Sequence, residues 1–336
     1  MWKVTLGEKP GVSQLKREKT TVPRPAVGEV LVKVKAVSLN YRDWEVINGQ
    51  YHEVFSSGMV PLSDGAGEVV EVGEGVDRWQ PGDRVIGSFW QGWLAGDLKN
   101  AIAPRSMGGP LDGMLSEFVS LPANGLVLCP SHLSYEQAAC LPCAAVTAWQ
   151  ALVVEGHVKA GDWVLVQGTG GVSLFALQFA KLHGASVVLL SSSEDKLARA
   201  RELGADITLN YLECPDWGAE VQLRTGGIDH VVEVGGPNTL VQSFKALRLG
   251  GQVNIIGYLG GKCGEVSPLL ILQSHSRVRG IAVGPCSSLE ALCGAIQAVQ
   301  LIPVIDRIFS VDNLGEAFDY LASGSHMGKV VLRLDS

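Results

Sequence analysis

Over residues 1 to about 125 the chain alternates apolar and polar positions with a period of two. Glu29-Val30-Leu31-Val32-Lys33-Val34-Lys35-Ala36-Val37 and Gly65-Ala66-Gly67-Glu68-Val69-Val70-Glu71-Val72-Gly73 both do so, the mark of a strand with one face in a core. Gly73-Glu74-Gly75 and Gln80-Pro81-Gly82-Asp83 read as turns between strands. Between Ser88 and Leu115 the pattern loosens around Trp90, Gly92, Trp93, Gly96, Gly108, Gly109, Pro110 and Gly113. A long loop inside a compact domain is usually functional or disordered. The two tryptophans predict a packed loop, either as a pocket wall or as anchors. The whole stretch reads as a loop-rich β barrel.

From Ser134 the period changes. Tyr135 to Ala139 and Thr147 to Val154 have helical spacing, and strands and helices then alternate. Strands are expected at Trp163 to Gln167, Ser186 to Leu190, Ile207 to Leu209, His230 to Val234, Gln252 to Ile256 and Val278 to Val283. Helices are expected at Lys196 to Leu203, Leu240 to Ala246 and Leu289 to Gln300. This alternation predicts an α/β fold with a doubly wound parallel sheet covered on both faces. Gly328-Lys329-Val330-Val331-Leu332-Arg333-Leu334 is a closing strand. A β region first, an α/β region second and a final strand predict that the chain end returns to the first domain, with the active site in the cleft between the two.

The first strand of the alternating region, Val164 to Gln167, runs through Gly168-Thr169-Gly170-Gly171-Val172-Ser173 into a helix. Such a turn cradles a dinucleotide pyrophosphate: Gly168 permits the tight turn, Gly170 lets the backbone approach, and free N–H groups at the helix start hold the anion. Ser173 stands where a third glycine is usual. Ser191 falls roughly 20 residues further on, where a ribose-reading residue sits. Gly235-Gly236 and Gly257-Tyr258 follow later strands, at ends where an open α/β sheet receives its ligand.

At 336 residues the chain is expected to form two domains, and a net charge of −7 without like-charge blocks predicts neither nucleic-acid nor membrane partners. The start, Met1-Trp2-Lys3-Val4, carries no basic-then-apolar signal and no apolar run reaches the length of a membrane span, so a soluble, cytoplasmic protein is expected. Seven cysteines scattered in apolar segments suit a reducing compartment, and the Cys140/Cys143 pair reads as buried packing. The histidines show no metal spacing.

With Pro81-Gly82-Asp83-Arg84-Val85, Leu141-Pro142-Cys143 and Thr147-Ala148, the glycine segments at 65–73 and 168–173 resemble the medium-chain dehydrogenase/reductase superfamily over nearly the whole chain. The resemblance implies a Rossmann domain inserted into a GroES-like, mostly β catalytic domain: residues 1–124 catalytic, 125–298 dinucleotide-binding, and 299–336 a return to the catalytic domain. Zinc members take their catalytic metal at positions that correspond here to Asn40, Ser63 and Cys143. An amide and a hydroxyl cannot stand in for thiolate and imidazole, and residues 86–128 hold no cysteine for a structural zinc. No metal is therefore expected. Without a Lewis acid the easier reaction is hydride delivery to an already electrophilic carbon, as in a quinone or an α,β-unsaturated carbonyl. Asn-Tyr-Arg-Asp at 40–43 resembles the quinone oxidoreductase side of the superfamily.

Within that reading Asn40 is the expected amide donor to a substrate carbonyl or the nicotinamide. Tyr41 is a proton donor or stacking surface, and Arg42 with Asp64 is an ion pair filling the metal's place, while Asp43 orders the loop. Tyr51, Trp90 and Trp93 are candidate pocket walls, and Thr147 matches a family position on the nicotinamide. For the adenosine end, neutral Ser191-Ser192-Ser193 leaves room for a 2′-phosphate, framed as in NADPH-dependent relatives by Lys196 and Tyr211. The competing reading makes a serine the cap of the next helix. The expectation is an NADPH-dependent reductase of a small-molecule electrophile, dimeric through the edge strand at 278–283. A metal-free NADP-dependent alcohol dehydrogenase or carbonyl reductase, and a non-catalytic NADPH-binding sensor or scaffold, are the alternatives.

Overall fold

The computed structural model describes residues 1–100 and 105–334. Its contacts divide the chain into two compact units, residues 1–146 with 284–336, and residues 147–283. These limits differ from the expected 124/125 and 298/299. The helix Tyr135–Ala138 packs against Glu29–Leu39 and Asp64–Val72, and the helix Cys286–Val299 packs against Leu126–Leu128, so both stay with the first unit.

The first unit is built on a seven-stranded sheet. Its long strand, Glu29–Leu39, pairs antiparallel with Asp64–Val72, with Phe118–Pro122 and with the C-terminal strand Lys329–Arg333. The inward positions Val30, Val32, Val34 and Val37 are at most 1 % exposed and pack with Val69, Val85, Leu126, Phe318 and Val330. Gly67 is obligatory here, since a Cβ would lie 2.3 Å from the Lys33 carbonyl oxygen. The register sets Val330 opposite Leu39, so Lys329 stands at the end of Glu29–Leu39, next to Asn40. The expected return of the chain end is thus a sheet partner at the start of the Asn40 segment. The unit also holds a strand at Ile305–Ser310, the antiparallel pair Trp2–Thr5 and Lys16–Lys19, and helices at Tyr41–Ile47 and Leu314–Ala322. Of the stretch from Ser88 to Leu115, residues 88–100 and 105–115 are described; bridges join Trp90 to Ser106 and Met107 to Leu111, and Met107, Met114 and Leu115 are buried.

The second unit is a six-stranded parallel sheet in the order Ile207–Asn210, Ser186–Ser191, Trp163–Gln167, Ile228–Glu233, Leu247–Ile255, Arg277–Gly280. In chain order this is 3-2-1-4-5-6, the doubly wound arrangement that binds ligands where the order reverses, beyond the first and fourth strands. The sixth strand stops at Gly280, short of the expected Val283. Val283 has φ +62, a conformation that a β-branched residue rarely adopts and a strand does not use. The helical run Tyr135–Val154 is long and apolar enough to cross a membrane by length and composition, but 78 % of its most apolar stretch is buried inside the protein.

Candidate active site

Asn40 ends the long strand and caps the helix Tyr41–Ile47. Its backbone N–H donates to the Asp43 carboxylate at 2.9 Å, and Asp43 N–H returns a bond to Asn40 O at 3.0 Å. An Asn at the cap and an acid in the first turn is why the chain turns here. Asp43 is fully buried and also accepts from Ser63 N–H at 3.3 Å. Burial pushes its carboxyl up to about 6 against the opposing pull of Arg42.

The expected Arg42–Asp64 pair is not what forms. Arg42 lies 3.4 Å from Asp43 and donates to the carbonyls of Met107 and Gly109 at 3.1 Å each, with its guanidinium over the rings of Tyr51 and Phe89 at 5.1 and 5.0 Å. Burial works against the Arg42 charge, but Asp43 and Tyr51 outweigh it and raise its pKa. Asp64 has a different cation: Lys329 Nζ, 3.8 Å away. The sheet register explains the exchange, because it delivers the C-terminal lysine beside Asn40 and Asp64, while the Arg42 side chain is taken up by the 107–109 loop.

Lys329 is 2 % exposed and donates to Leu39 O at 2.8 Å and to Asn40 Oδ1 at 2.6 Å. Around Asp64 the donors are Ser63 Oγ at 2.8 Å, Ser38 Oγ at 3.2 Å and Cys143 N–H at 3.4 Å. Burial, with Asp64 adding to it, raises the Cys143 thiol well above its ordinary range, and burial pushes Cys140 up to about 12. These side chains do not fit a zinc ion. The one oxygen of Asn40 is engaged by an ammonium and the Ser63 hydroxyl is spent on Asp64, which leaves Cys143 as the one good zinc ligand of the three positions. Among the described residues no group of three or more His, Cys, Asp or Glu could hold a metal.

The other proposed side chains of this unit are placed variously. Tyr41 is 42 % exposed and stacks on Trp44. Tyr51 lies beside Arg42 and Phe55. Trp90 is half-buried, edge-on to Phe89. Trp93 is buried and donates from Nε1 to Gly96 O at 2.8 Å, the geometry of a loop anchor.

In the second unit the glycine turn has the geometry a pyrophosphate needs. Gly168 adopts φ +72, which a side chain would strain, and Gly170 caps the helix Gly171–Leu182. A Cβ on Gly170 would meet nothing within 4 Å, so the space over the helix start is open. The N–H groups of Gly171, Val172 and Ser173 precede the first intrahelical bond and point into it. Ser173 replaces the third glycine without conflict because its hydroxyl donates to Gln167 O at 2.7 Å. Thr169 and Thr147 are buried, the latter on the helix Val146–Trp149. The dinucleotide expectation fits this cradle.

At the end of the second strand both sequence readings have a physical counterpart. Ser193 caps the helix Glu194–Glu202, accepting from Lys196 N–H at 3.4 Å, and Ser193 N–H donates to Ser191 Oγ at 3.3 Å. Tyr211 N–H donates to Ser191 O at 3.2 Å, which sets Tyr211 next to the serines, while Ser192 is exposed. Asn210 draws off the Glu194 carboxylate at 3.1 Å.

Sequence reasoning missed two residues that organise these sites. Lys329 was read as part of an apolar strand, and its partner Asn40 lies 289 residues away. Glu233, fully buried at the end of the fourth strand, accepts from Gln167 Nε2 at 2.7 Å, Gly235 N–H at 2.8 Å, Gly236 N–H at 3.0 Å, Thr239 Oγ1 at 2.5 Å and Ser243 Oγ. It holds the Gly235-Gly236 turn, where Gly236 has φ +83 with Tyr258 Cα 3.0 Å from where a Cβ would lie. Gly257 N–H donates to Glu233 O at 3.2 Å, and Tyr258 carries Lys262 over its ring at 5.2 Å. A charged residue inside an apolar strand was the available signal in both cases.

A GroES-like β domain and a Rossmann domain with a dinucleotide turn define a two-domain nicotinamide-dependent oxidoreductase. Comparison with known proteins gives the same class. Residues 26–131 match the alcohol dehydrogenase GroES-like domain, and 171–298 the zinc-binding dehydrogenase domain. A zinc-type alcohol dehydrogenase-like protein of Schizosaccharomyces pombe is 43 % identical, with 97 % of this chain and 96 % of that protein covered. The crystal structure of a putative alcohol dehydrogenase from Sinorhizobium meliloti superposes with a TM-score of 0.91 at 42 % identity, covering 99 % of this chain and all of that one. A more distant relative, an acryloyl-coenzyme A reductase of Metallosphaera sedula, is 29 % identical over 92 % of this chain and 93 % of its own. The chain belongs to the medium-chain dehydrogenase/reductase superfamily and is an NAD(P)-dependent oxidoreductase.

Proposed function

We propose that the protein is an NADPH-dependent, zinc-independent reductase of α,β-unsaturated carbonyls or quinones. The observation that carries this reading is the 2.6 Å bond from Lys329 to Asn40 Oδ1. It leaves Asn40 as a hydrogen-bond donor at the position where zinc relatives offer a thiolate. A donor of that kind favours charge developing on a carbonyl oxygen but does not lower an alcohol's pKa as a metal does. An activated alkene is the chemistry named for the acryloyl-coenzyme A reductase relative.

When bound, the reduced nicotinamide supplies the hydride. The N–H groups of Gly171, Val172 and Ser173, after Gly168, Thr169 and Gly170, would bind the pyrophosphate, and Thr147 would orient the nicotinamide end. Ser191, Ser192 and Ser193 with Lys196 and Tyr211 accept the 2′-phosphate, while Gly235, Gly257 and Tyr258 border the ligand at the strand ends. Asn40 Nδ2 donates to the substrate carbonyl oxygen as negative charge builds there. Arg42 fixes Tyr51 beside it, and Asp64 holds Ser63 and Lys329. Water supplies the balancing proton to the reduced substrate. The edge strand Arg277–Gly280, every residue of which is exposed, supports pairing with a second copy of the chain.

The names of the alcohol dehydrogenase relatives favour a second reading, NADP-dependent interconversion of alcohols and carbonyls, which the side chains around Asn40 would have to support without a metal. One screen separates the two: NADPH oxidation with quinones, enones and aldehydes, and NADP reduction with alcohols. The proposal expects turnover of the conjugated substrates at rates well above those with aldehydes and alcohols. Chelator-insensitive alcohol oxidation as the fastest reaction overturns it in favour of the second reading.

A further inference from the structure

Lys329 does more than occupy an oxygen. An ammonium has three donors and no acceptor. One donor goes to Leu39 O at 2.8 Å and one to Asn40 Oδ1 at 2.6 Å, with Asp64 Oδ2 3.8 Å away. A donor-only group at that distance admits only the oxygen of an amide, because an NH₂ group there would set donor against donor in a buried place. The Asn40 amide is therefore held with Nδ2 turned the other way, where it meets Ser63 Oγ at 3.4 Å. Ser63 is oriented in turn, since its hydroxyl donates to Asp64 Oδ1 at 2.8 Å and leaves a lone pair for Asn40. One hydrogen of the Asn40 amide is thus spoken for and the second is available to a ligand.

We propose that Lys329 is a positioning residue for the reduction: its ammonium, balanced by Asp64, locks the Asn40 amide so that an N–H is presented to the substrate carbonyl oxygen. The same contact polarises the amide, so that the N–H bond to the oxygen strengthens as charge accumulates. This rests on the reading of Asn40 as the group that meets the carbonyl. A purely structural role is the rival account, in which Lys329 only neutralises a buried carboxylate. The two accounts separate when both charges are removed together.

The test compares Lys329→Met with the double variant Lys329→Met/Asp64→Asn, in which no unpaired charge is left. Steady-state kinetics with NADPH and the preferred electrophile give kcat and KM, and fluorescence titration gives the NADPH Kd. Amide-detected NMR on ¹⁵N-labelled protein follows the Asn40 side-chain NH₂ signal, identified by its loss in Asn40→Ala. In both variants kcat is expected to fall about 10- to 100-fold, with the NADPH Kd within about twofold, and the Asn40 signal is expected to move. Recovery of the parent kcat in the double variant, or an unmoved Asn40 signal in either, overturns the proposal. If Lys329→Met does not fold, the double variant decides alone. If the parent protein reduces no electrophile, the functional reading fails, while the NMR signal still decides whether Lys329 sets the amide.

Discussion

Replacing Glu233 with glutamine keeps the shape of the side chain and changes what it can accept. In the native unit one carboxylate oxygen takes Gly235 N–H, Gly236 N–H and Thr239 Oγ1, and the other takes Gln167 Nε2 and Ser243 Oγ. A glutamine must turn its NH₂ toward one of these groups. Facing the glycines it meets two backbone donors that cannot be turned. Facing Gln167 it meets a donor whose amide cannot be flipped without losing the bonds from Val234 N–H and Gly235 N–H to Gln167 Oε1, both 3.2 Å. The second choice is the milder. It forfeits one bond to a charged acceptor, about 1.5–3 kcal/mol, and strands a buried donor at about 1–3 kcal/mol. The expected loss is roughly 3–4 kcal/mol of second-unit stability, read by urea unfolding through the fluorescence of Trp163 and Trp217. Dinucleotide affinity should weaken about tenfold, because the Gly235-Gly236 turn loses its anchor. A loss below about 1 kcal/mol with unchanged affinity refutes the reasoning.

Three further outcomes follow from the same geometry. Gly170→Ala should leave stability within about 0.5 kcal/mol, since its Cβ enters open space, yet weaken dinucleotide binding at least about tenfold, as measured by titration; equal affinity would show that the space is not the cofactor's. Lys196→Ala should lower kcat/KM with NADPH about tenfold and leave NADH unchanged; equal losses with both cofactors would contradict the 2′-phosphate assignment. Asp43 has a folded-state pKa raised to about 6 from 3.8, so its proton is favoured by folding. The stability it contributes is fully present below about pH 4 and is lost as pH rises through about 6, up to about 3 kcal/mol. Unfolding free energies of the parent and Asp43→Asn should therefore diverge, with the parent losing relative stability between about pH 4 and pH 7. A parent that gains over that range would contradict the assignment.

What was legible in the sequence is what depends on near neighbours. The glycine turn at 168–173 is a strand, a tight turn and a helix start in one run, so residue type alone predicts its geometry, and the period of alternation located the six parallel strands within a few residues. The candidate site was legible only in part. Asn40, Ser63 and Cys143 could be set together through the family resemblance, but the partner of the neighbouring Asp64 could not. Two cations compete for it, and the outcome rests on a sheet register that joins Val330 to Leu39 and on a loop that captures Arg42 through Met107 and Gly109. Glu233 escaped notice although four of its five donors lie within ten residues of it; the fifth, Gln167, is 66 residues away, and a lone acid at a strand end does not by itself announce the turn that closes on it. Ser173 looked like a departure from the fingerprint, and it becomes an ordinary helix residue once its hydroxyl finds the Gln167 carbonyl.

The proposed reduction requires an amide donor, and no metal, at the place where zinc relatives hold their ion. The direct measurement is metal content by plasma mass spectrometry on purified protein, with enone reduction assayed on the same sample before and after chelation. The expected result is far less than one zinc per chain and a rate that chelation leaves unchanged. One zinc per chain, removed together with the activity and restored with it, would contradict the account.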